Sequence, residues 1–251
     1  MLVTTDAIVL RSRKQGDTSK ICAIYTKEYG LVDVIAKGAR EMKSKFAGSL
    51  ELYMHITAVF YKKQGKELYL LAKAENVSRM SGISNSLAKI ESATKIAELL
   101  LNTLHDEEKN PTLFSLLSAT YEAISQAATD DHARSLLYSF YSGFAKLGGF
   151  ELHIPAELPQ GKYPVFEIEK GCVLIMDSPM TSESRFYIPI SPEVCSILRF
   201  YQNNDDPTKV NLKVTENAGF MLERLFRAYF AAHIESAHHA KSKSARVFAS
   251  M

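Results

Sequence analysis

Four cationic side chains lie close together at residues 36–46, a segment that reads AKGAREMKSKF. The segment contains one acid, Glu41, and four cations, Lys37, Arg40, Lys43 and Lys45. It follows an apolar run with the pattern of a β-strand, and a cationic loop at the end of a strand can bind phosphate groups. A short charge run is more commonly a solvated surface. The pattern alone leaves both interpretations open.

The charge of the chain is divided unevenly. Residues 1–80 hold 14 Lys and Arg against 8 Asp and Glu, which is a net charge of +6. Residues 81–251 hold 16 against 20, which is a net charge of −4. The whole-chain value of +2 hides this asymmetry. A basic part beside an acidic part favours a polyanionic partner for the basic part.

The chain lacks the motifs that mark common catalytic sites. It has no G-x-x-x-x-G-K-[ST] loop for a nucleoside triphosphate, and no G-x-G-x-x-G or G-x-S-x-G motif. Acidic pairs at residues 107–108, 130–131 and 205–206 stand beside turn-forming residues and are interpreted as caps and loop residues. We therefore expect a protein that is not an enzyme, with no catalytic residue and no cofactor. An active site without a known motif, in the segment at 151–190, stays open as an alternative.

Composition and cysteine spacing bound the class of protein. With 46% hydrophobic and 23% charged residues, the composition is that of a globular protein. Cys22, Cys172 and Cys195 are far apart and form no C-x-x-C pair, which argues against a disulfide framework and a zinc ribbon. The first apolar run is too short for a signal peptide, and no run approaches the length of a membrane span. We expect a reduced, cytoplasmic protein.

The first 80 residues have the pattern of a β-barrel. They contain no proline and alternate between apolar and polar residues. Strands are predicted around residues 7–11, 19–26, 31–36, 52–61 and 67–74. Five short strands with a basic insertion after the third fit an oligonucleotide-binding (OB) barrel. From periodicity alone, an SH3-like barrel fits nearly as well.

The remainder of the chain has the pattern of helices. Beyond a Ser- and Gly-rich hinge at residues 78–86, apolar residues recur every three or four positions. Helices are predicted to begin near residue 87, at Asn110-Pro111, at Asp130 or Asp131, at Ser191-Pro192 and at Thr215. Six of the eight prolines lie between residues 155 and 192, so the insertion at about 151–190 is not a long helix. Its two alternating runs could form a hairpin around Lys170 and Gly171. The predicted class is α+β, with a barrel domain at 1–80 and a helical domain at 81–251.

The first 50 residues resemble the amino-terminal domain of RecO, the bacterial mediator of recombination in DNA repair. The matching pattern is T-x-A-I-V-L-x-x-R, then G-[DE]-x-S-K-I, then a strand that runs into A-K-G-A-R and a basic S-[RK]-F. Weaker similarity continues through KLGGF, IPISPEVCSILRF and YFAAHIESAHHAKSKSARVF. The resemblance favours the OB barrel over the SH3-like barrel. Many RecO proteins carry four cysteines as a zinc ribbon in the insertion, whereas this chain offers Cys172 alone, so we expect a degenerate ribbon without metal.

The resemblance also implies an activity without covalent chemistry. RecO proteins bind single- and double-stranded DNA, anneal complementary strands and, with RecR, help load RecA onto DNA coated by single-strand-binding protein. They also bind the acidic tail of that protein through the helical domain, for which we suggest Arg134. Nucleoid association follows from such a role. The alternative is an adaptor whose basic face docks an acidic protein.

Residues of two types are predicted to contact DNA in a barrel of this kind, cations for the backbone and rings for the bases. The cations are Arg11, Arg13, Lys14, Lys20, Lys37, Arg40, Lys43 and Lys45. The rings are Tyr25, Tyr29, Phe46 and Tyr53, for each of which packing in or beside the barrel core is the alternative. Lys62, Lys63 and Lys66 are interpreted as a solvated hairpin tip.

Overall fold

Five strands form a closed barrel in the computed structural model, which describes residues 1–63, 65–78, 80–104, 108–180, 184–204 and 206–248, with side chains as far as residue 234. The strands are β1 (Leu2–Gln15), β2 (Ser19–Thr26), β3 (Gly30–Ala36), β4 (His55–Tyr61) and β5 (Leu68–Ser78). Their order around the barrel is β1-β2-β3-β5-β4. All neighbours are antiparallel except β3 and β5, which pair in parallel over three residues. The predicted five-stranded OB-like barrel is confirmed.

The barrel core contains the inward-facing residues of every strand. Val9, Cys22, Val34, Ala58 and Leu71 are all at most 2% exposed and belong to one apolar cluster. The core residues recur at every second position along β2, β3 and β4, as the pleat of a β-strand requires.

Two helices pack with the barrel. They are α1 (Leu87–Thr103) and α2 (Pro111–Gln126). Asn110 caps α2, because its side-chain oxygen accepts from the backbone N–H of Leu113 at 2.9 Å, as predicted. The ring of Tyr25 on β2 lies 6.3 Å from that of Phe114 on α2.

The boundary between the two compact units of the structure lies after residue 133, whereas the sequence pattern changes from strands to helices near residue 80. Residues Met1–Ala133 form one compact unit and residues Arg134–Met251 form the other. Helices α1 and α2 thus belong to the same unit as the barrel. The division at residue 80 stays a prediction about which part of the chain binds DNA.

The second unit combines three helices with a small sheet. Its elements are α3 (Asp130–Leu147, which begins in the first unit), β6 (Tyr163–Glu167), β7 (Cys172–Met176), β8 (Tyr187–Pro189), α4 (Pro192–Gln202) and α5 (Glu216–Phe248). The predicted hairpin around Lys170 and Gly171 is confirmed, since β6 and β7 pair on either side of it. Gly171 has φ +62°, and a Cβ there would collide with the hydroxyl group of Tyr229. The turn therefore requires glycine.

The aromatic residues of α3 and α5 form the core of this unit. The rings of Tyr141 and Phe230 lie 5.2 Å apart, and those of Tyr141 and Phe226 lie 5.3 Å apart. Among the helices that the structure describes, none is long and apolar enough to cross a membrane.

Candidate nucleic-acid interface

The basic loop, residues 37–54, connects β3 to β4 and closes one end of the barrel. Successive turns fix its course, with Ser44 N donating to Glu41 O at 3.1 Å and Ser49 N donating to Phe46 O at 3.1 Å. Phe46 is 2% exposed and Leu50 is 1% exposed, and both belong to the barrel core. The loop is therefore anchored by buried side chains while its cations face outward.

Arg40 ties the basic loop to the turn between β1 and β2. Its backbone N–H donates to Thr18 O at 2.8 Å. Its guanidinium Nη1 donates to the carbonyl oxygens of Gly16 at 3.0 Å and Asp17 at 2.9 Å. The loop and the tip of the β1–β2 hairpin, which carries further predicted cations, thus form one surface.

Seven of the eight predicted cations are exposed, and the side chains of five of these seven form neither an ion pair nor a hydrogen bond within the described part of the chain. These five are Arg13, Lys14, Lys37, Lys43 and Lys45. Unpaired cations are available to neutralise phosphates, because no carboxylate has to be displaced first. One of them, Lys45, lies with Nζ 5.0 Å from the centroid of the Phe46 ring.

Two other predicted cations already have acidic neighbours. Lys20 Nζ lies 2.9 Å from Glu51 Oε1, and Arg11 Nη2 lies 3.7 Å from Asp33 Oδ2. The second pair follows from strand register, because Arg11 and Asp33 both stand opposite Ala23. Such exposed pairs contribute about 0–1 kcal/mol, so a phosphate could compete for either cation at small cost.

The aromatic rings that were predicted to stack on bases are largely buried in the protein. Tyr25 is 1% exposed, Phe46 is 2% exposed and Tyr53 is 9% exposed, whereas Tyr29 is half-buried. Tyr53 also has its hydroxyl 2.7 Å from Thr94 Oγ1 on α1. A base stacks only on a ring face that it can reach. Phe46, which is 2% exposed, therefore offers no ring face to a base.

A second group of cations, which the sequence pattern indicated to be a solvated hairpin tip, lies at the β4–β5 hairpin. There a cleft of about 830 Å³ is lined by Met1, Leu31, Val32, Asp33, Lys62, Lys63, Gly65, Lys66, Glu67 and Tyr69. Lys62 Nζ lies 5.5 Å from the centroid of the Tyr29 ring and 5.4 Å from that of Tyr69. The loop between strands four and five commonly borders the ligand site of OB barrels. This general property of OB barrels could have identified the three lysines of the hairpin as candidate ligand-binding residues.

The described residues of the insertion do not assemble a set of metal ligands. The backbone places His153 opposite Cys172, and the Cys172 thiol lies 3.7 Å from Glu167 Oε2. In the described part of the chain, however, no three His, Cys, Asp or Glu side chains cluster closely enough to hold a metal ion. Burial raises the pKa of Cys172, and the carboxylate of Glu167 raises this pKa further. His153, Glu167 and Cys172 therefore do not make up the four-ligand Cys and His set of a structural zinc site.

Arg134, suggested for partner binding, lies on α3 at the start of the second unit and is half-buried. It is one turn from Tyr138, whose hydroxyl group donates to Gly219 O at 2.8 Å. Burial raises the pKa of Tyr138, the nearby Glu223 raises it further, and Arg134 opposes this shift. The positive charge of Arg134 therefore acts on the buried Tyr138.

Comparison with known proteins covers nearly the whole chain. Residues 1–80 match the family model described as "Recombination protein O N terminal", and residues 84–243 match "Recombination protein O C terminal". A DNA repair protein RecO from Chlorobium phaeobacteroides is 28% identical over 97% of this chain and 96% of its own length. One from Dehalococcoides mccartyi is 28% identical over 89% of this chain and 87% of its own length. One from Thermoanaerobacter sp. is 24% identical over 93% of each chain. The chain therefore belongs to the RecO family, as its amino-terminal motifs indicated.

Proposed function

We propose that this protein is a recombination mediator in DNA repair that works by binding and not by catalysis. It binds single- and double-stranded DNA, brings complementary strands together and, with RecR, helps load RecA onto DNA coated by single-strand-binding protein. The supporting observation is a group of five exposed cations on the basic loop and the adjoining β1–β2 hairpin, which form no ion pair with any residue that the structure describes. Membership of the RecO family, together with relatives that are named DNA repair proteins, supports the biological role.

The mechanism that we propose rests on neutralising phosphates. Two complementary strands repel each other through their backbones, and bound cations reduce that repulsion while releasing counterions. A barrel that holds one strand by its phosphates leaves the bases free to pair. The free energy then comes from counterion release and from the duplex that forms, so no nucleotide cofactor is required.

A salt titration of labelled single-stranded DNA tests this proposal. If five cations each contact one phosphate, log K should fall with log salt at a slope of about −3.5, from about 0.7 per contact. The double variant Lys43→Ala, Lys45→Ala should bind more weakly across unrelated sequences and should show a slope of about −2. We choose these lysines because Arg40 also holds the loop in place.

The control variant removes two positive charges elsewhere. Lys209 and Lys213 are exposed residues of the second unit, and replacing both with Ala changes the net charge by the same amount. We expect the control to keep the wild-type slope. An unchanged slope in the basic-loop variant would show that the DNA-binding site lies outside the basic loop. Salt-sensitive binding to an acidic protein, without affinity for DNA, would favour the adaptor.

The partner contacts belong to the second unit in our proposal. We assign binding of the acidic tail of single-strand-binding protein to the helical part of the chain, with Arg134 as one cation. Titration with a labelled tail peptide should show weaker binding by Arg134→Gln than by the wild type. Equal affinity of the two would remove Arg134 from this role.

A further inference from the structure

An apolar ledge lies on the outer surface of the barrel, formed by Leu2, Tyr61, Leu68 and Leu70. Strand register makes it continuous, because Leu2 stands opposite Tyr61 and Tyr61 stands opposite Leu70. Leu68 is two residues from Leu70 and therefore shares its face. Leu2 is 54% exposed, Tyr61 is 52% exposed, Leu70 is 39% exposed and Leu68 is 38% exposed. These neighbouring side chains leave a water-facing apolar surface across three strands.

The ledge borders the cationic cleft at the β4–β5 hairpin. Each ledge residue is a direct chain neighbour of a residue that lines the cleft: Leu2 of Met1, Tyr61 of Lys62, and both Leu68 and Leu70 of Tyr69. The backbones of Met1 and Lys62 are also joined by two hydrogen bonds of 2.8 Å, one from the amino-terminal ammonium group. An apolar surface and a charged groove thus meet along one rim.

The charge of the cleft is positive. Three lysines and the amino-terminal ammonium group face two carboxylates, those of Asp33 and Glu67, which gives a net charge of +2. Asp33 is already paired with Arg11. Lys63 and Lys66 are exposed. Such a cleft attracts an anionic chain.

Tyr61 provides an exposed aromatic ring on which a base can stack. Of the described aromatic residues in the unit at Met1–Ala133, only Tyr61 is exposed. Sites for single strands combine a cationic groove with rings on which bases stack. The other rings proposed from the sequence are covered or half-buried, so they offer less surface to a base.

We propose that the ledge and the cleft together bind a single strand of nucleic acid with unpaired bases. Bases stack on Tyr61 and pack against the leucines, while the phosphates lie along Lys63 and Lys66. The site is separate from the basic loop, so the barrel has two surfaces for strands. The inference rests on the proposed function and deepens it, because a protein that brings two strands together needs a place for each.

The test compares two probes of equal length, an oligothymidylate and an abasic oligomer that has phosphates and no bases. The variant Tyr61→Thr, which keeps a good strand-forming residue, should bind oligothymidylate at least about fivefold more weakly, from a stacking contribution of about 1 kcal/mol or more. Its affinity for the abasic oligomer should be unchanged. Tyr61→Phe should restore binding of the oligothymidylate.

Two further variants complete the design. Lys63→Ala with Lys66→Ala should weaken binding of both probes and flatten the salt dependence. Tyr163→Thr removes a ring that is 42% exposed in the second unit and should bind both probes as the wild type does.

The outcomes separate the two proposals. A wild-type protein without affinity for either probe contradicts the proposed function and this inference with it. Wild-type binding together with undiminished binding by Tyr61→Thr contradicts only the ledge. A Tyr61→Thr variant that keeps its DNA affinity and loses a protein partner would assign the ledge to protein docking, and it would overturn the inference as well.

Discussion

The guanidinium group of Arg40 lies on the β1–β2 turn, with Nη1 2.9 Å from the carbonyl oxygen of Asp17. Arg40, which is predicted to bind DNA, therefore also holds the basic loop against the β1–β2 hairpin. The two roles can be separated by comparing Arg40 with Lys43, which is exposed and has no ion pair in the described part of the chain.

The first prediction concerns this double role. Arg40→Ala should lower the free energy of unfolding by about 1 kcal/mol, because hydrogen bonds to two carbonyl oxygens are lost. Lys43→Ala should change it by no more than about 0.5 kcal/mol. Both should weaken DNA binding. Urea unfolding of the two variants checks this, and equal stability would show that the Arg40 contacts contribute nothing to the fold.

The second prediction concerns Gly30 at the β2–β3 turn. It has φ +67°, and a Cβ there would collide with the backbone of Glu108. Gly16 has a similar φ of +56° with open space around it, which makes it a matched control. Gly16→Ala should cost about 1–2 kcal/mol of stability from backbone strain, and Gly30→Ala should cost about 1–3 kcal/mol more from overpacking. Equal losses in urea unfolding would mean that the contact with residue 108 is not maintained in solution.

The third prediction concerns the boundary of the DNA-binding part. Fragments 1–80 and 1–133 should both bind single-stranded DNA with the salt dependence of the whole chain. The longer fragment should have the higher unfolding midpoint, because it keeps α1 and α2 against Tyr25 and Tyr53. DNA affinity found in residues 134–251, and absent from a folded 1–133 fragment, would reverse the proposed division of roles.

The fourth prediction is that the protein purifies without stoichiometric zinc and keeps its fold in a chelator. Its basis is the lack of a ligand cluster around Cys172 in the described part of the chain. Elemental analysis and thermal unfolding with and without chelator are the measurements. One zinc ion per chain, or a lower midpoint in chelator, would show that ligands assemble in another way.

The fifth prediction is a pH dependence of stability that arises at His55. Burial lowers its pKa from the ordinary 6.5, although Asp6 and Glu122 oppose this shift, and its Nε2 is buried without a hydrogen-bond partner among the described residues. The unfolded chain therefore takes up the proton first as pH falls, so the free energy of unfolding should decrease below about pH 6.5.

The variant His55→Phe isolates this effect. Its ring can keep the edge-on contact with Phe114, whose centroid lies 5.8 Å from that of His55, and it removes the unpaired nitrogen. Urea unfolding at pH 7.5 and pH 5.5 should show a smaller loss for the variant than for the wild type. Identical losses would place the titrating group elsewhere.

The sequence by itself determined most elements of this fold and their order, although no pattern predicted the short strand β8. Strand periodicity, the caps at Asn110 and Ser191, and the hairpin at Lys170 and Gly171 are local features, and local backbone preferences decide them over a few residues. The barrel type needed the family resemblance as well, because periodicity does not specify which strands pair.

Tertiary structure alone decided which of the predicted site residues reach solvent. Phe46 follows a run of cations and has the local pattern of an exposed loop, yet it is buried because the whole loop folds over the barrel end. Arg11 meets Asp33 only because two registers align them on one face. The cleft and the ledge join residues near positions 1, 32 and 61–70. Barrel closure brings these segments together, and no local pattern records a contact between residues so far apart in the chain.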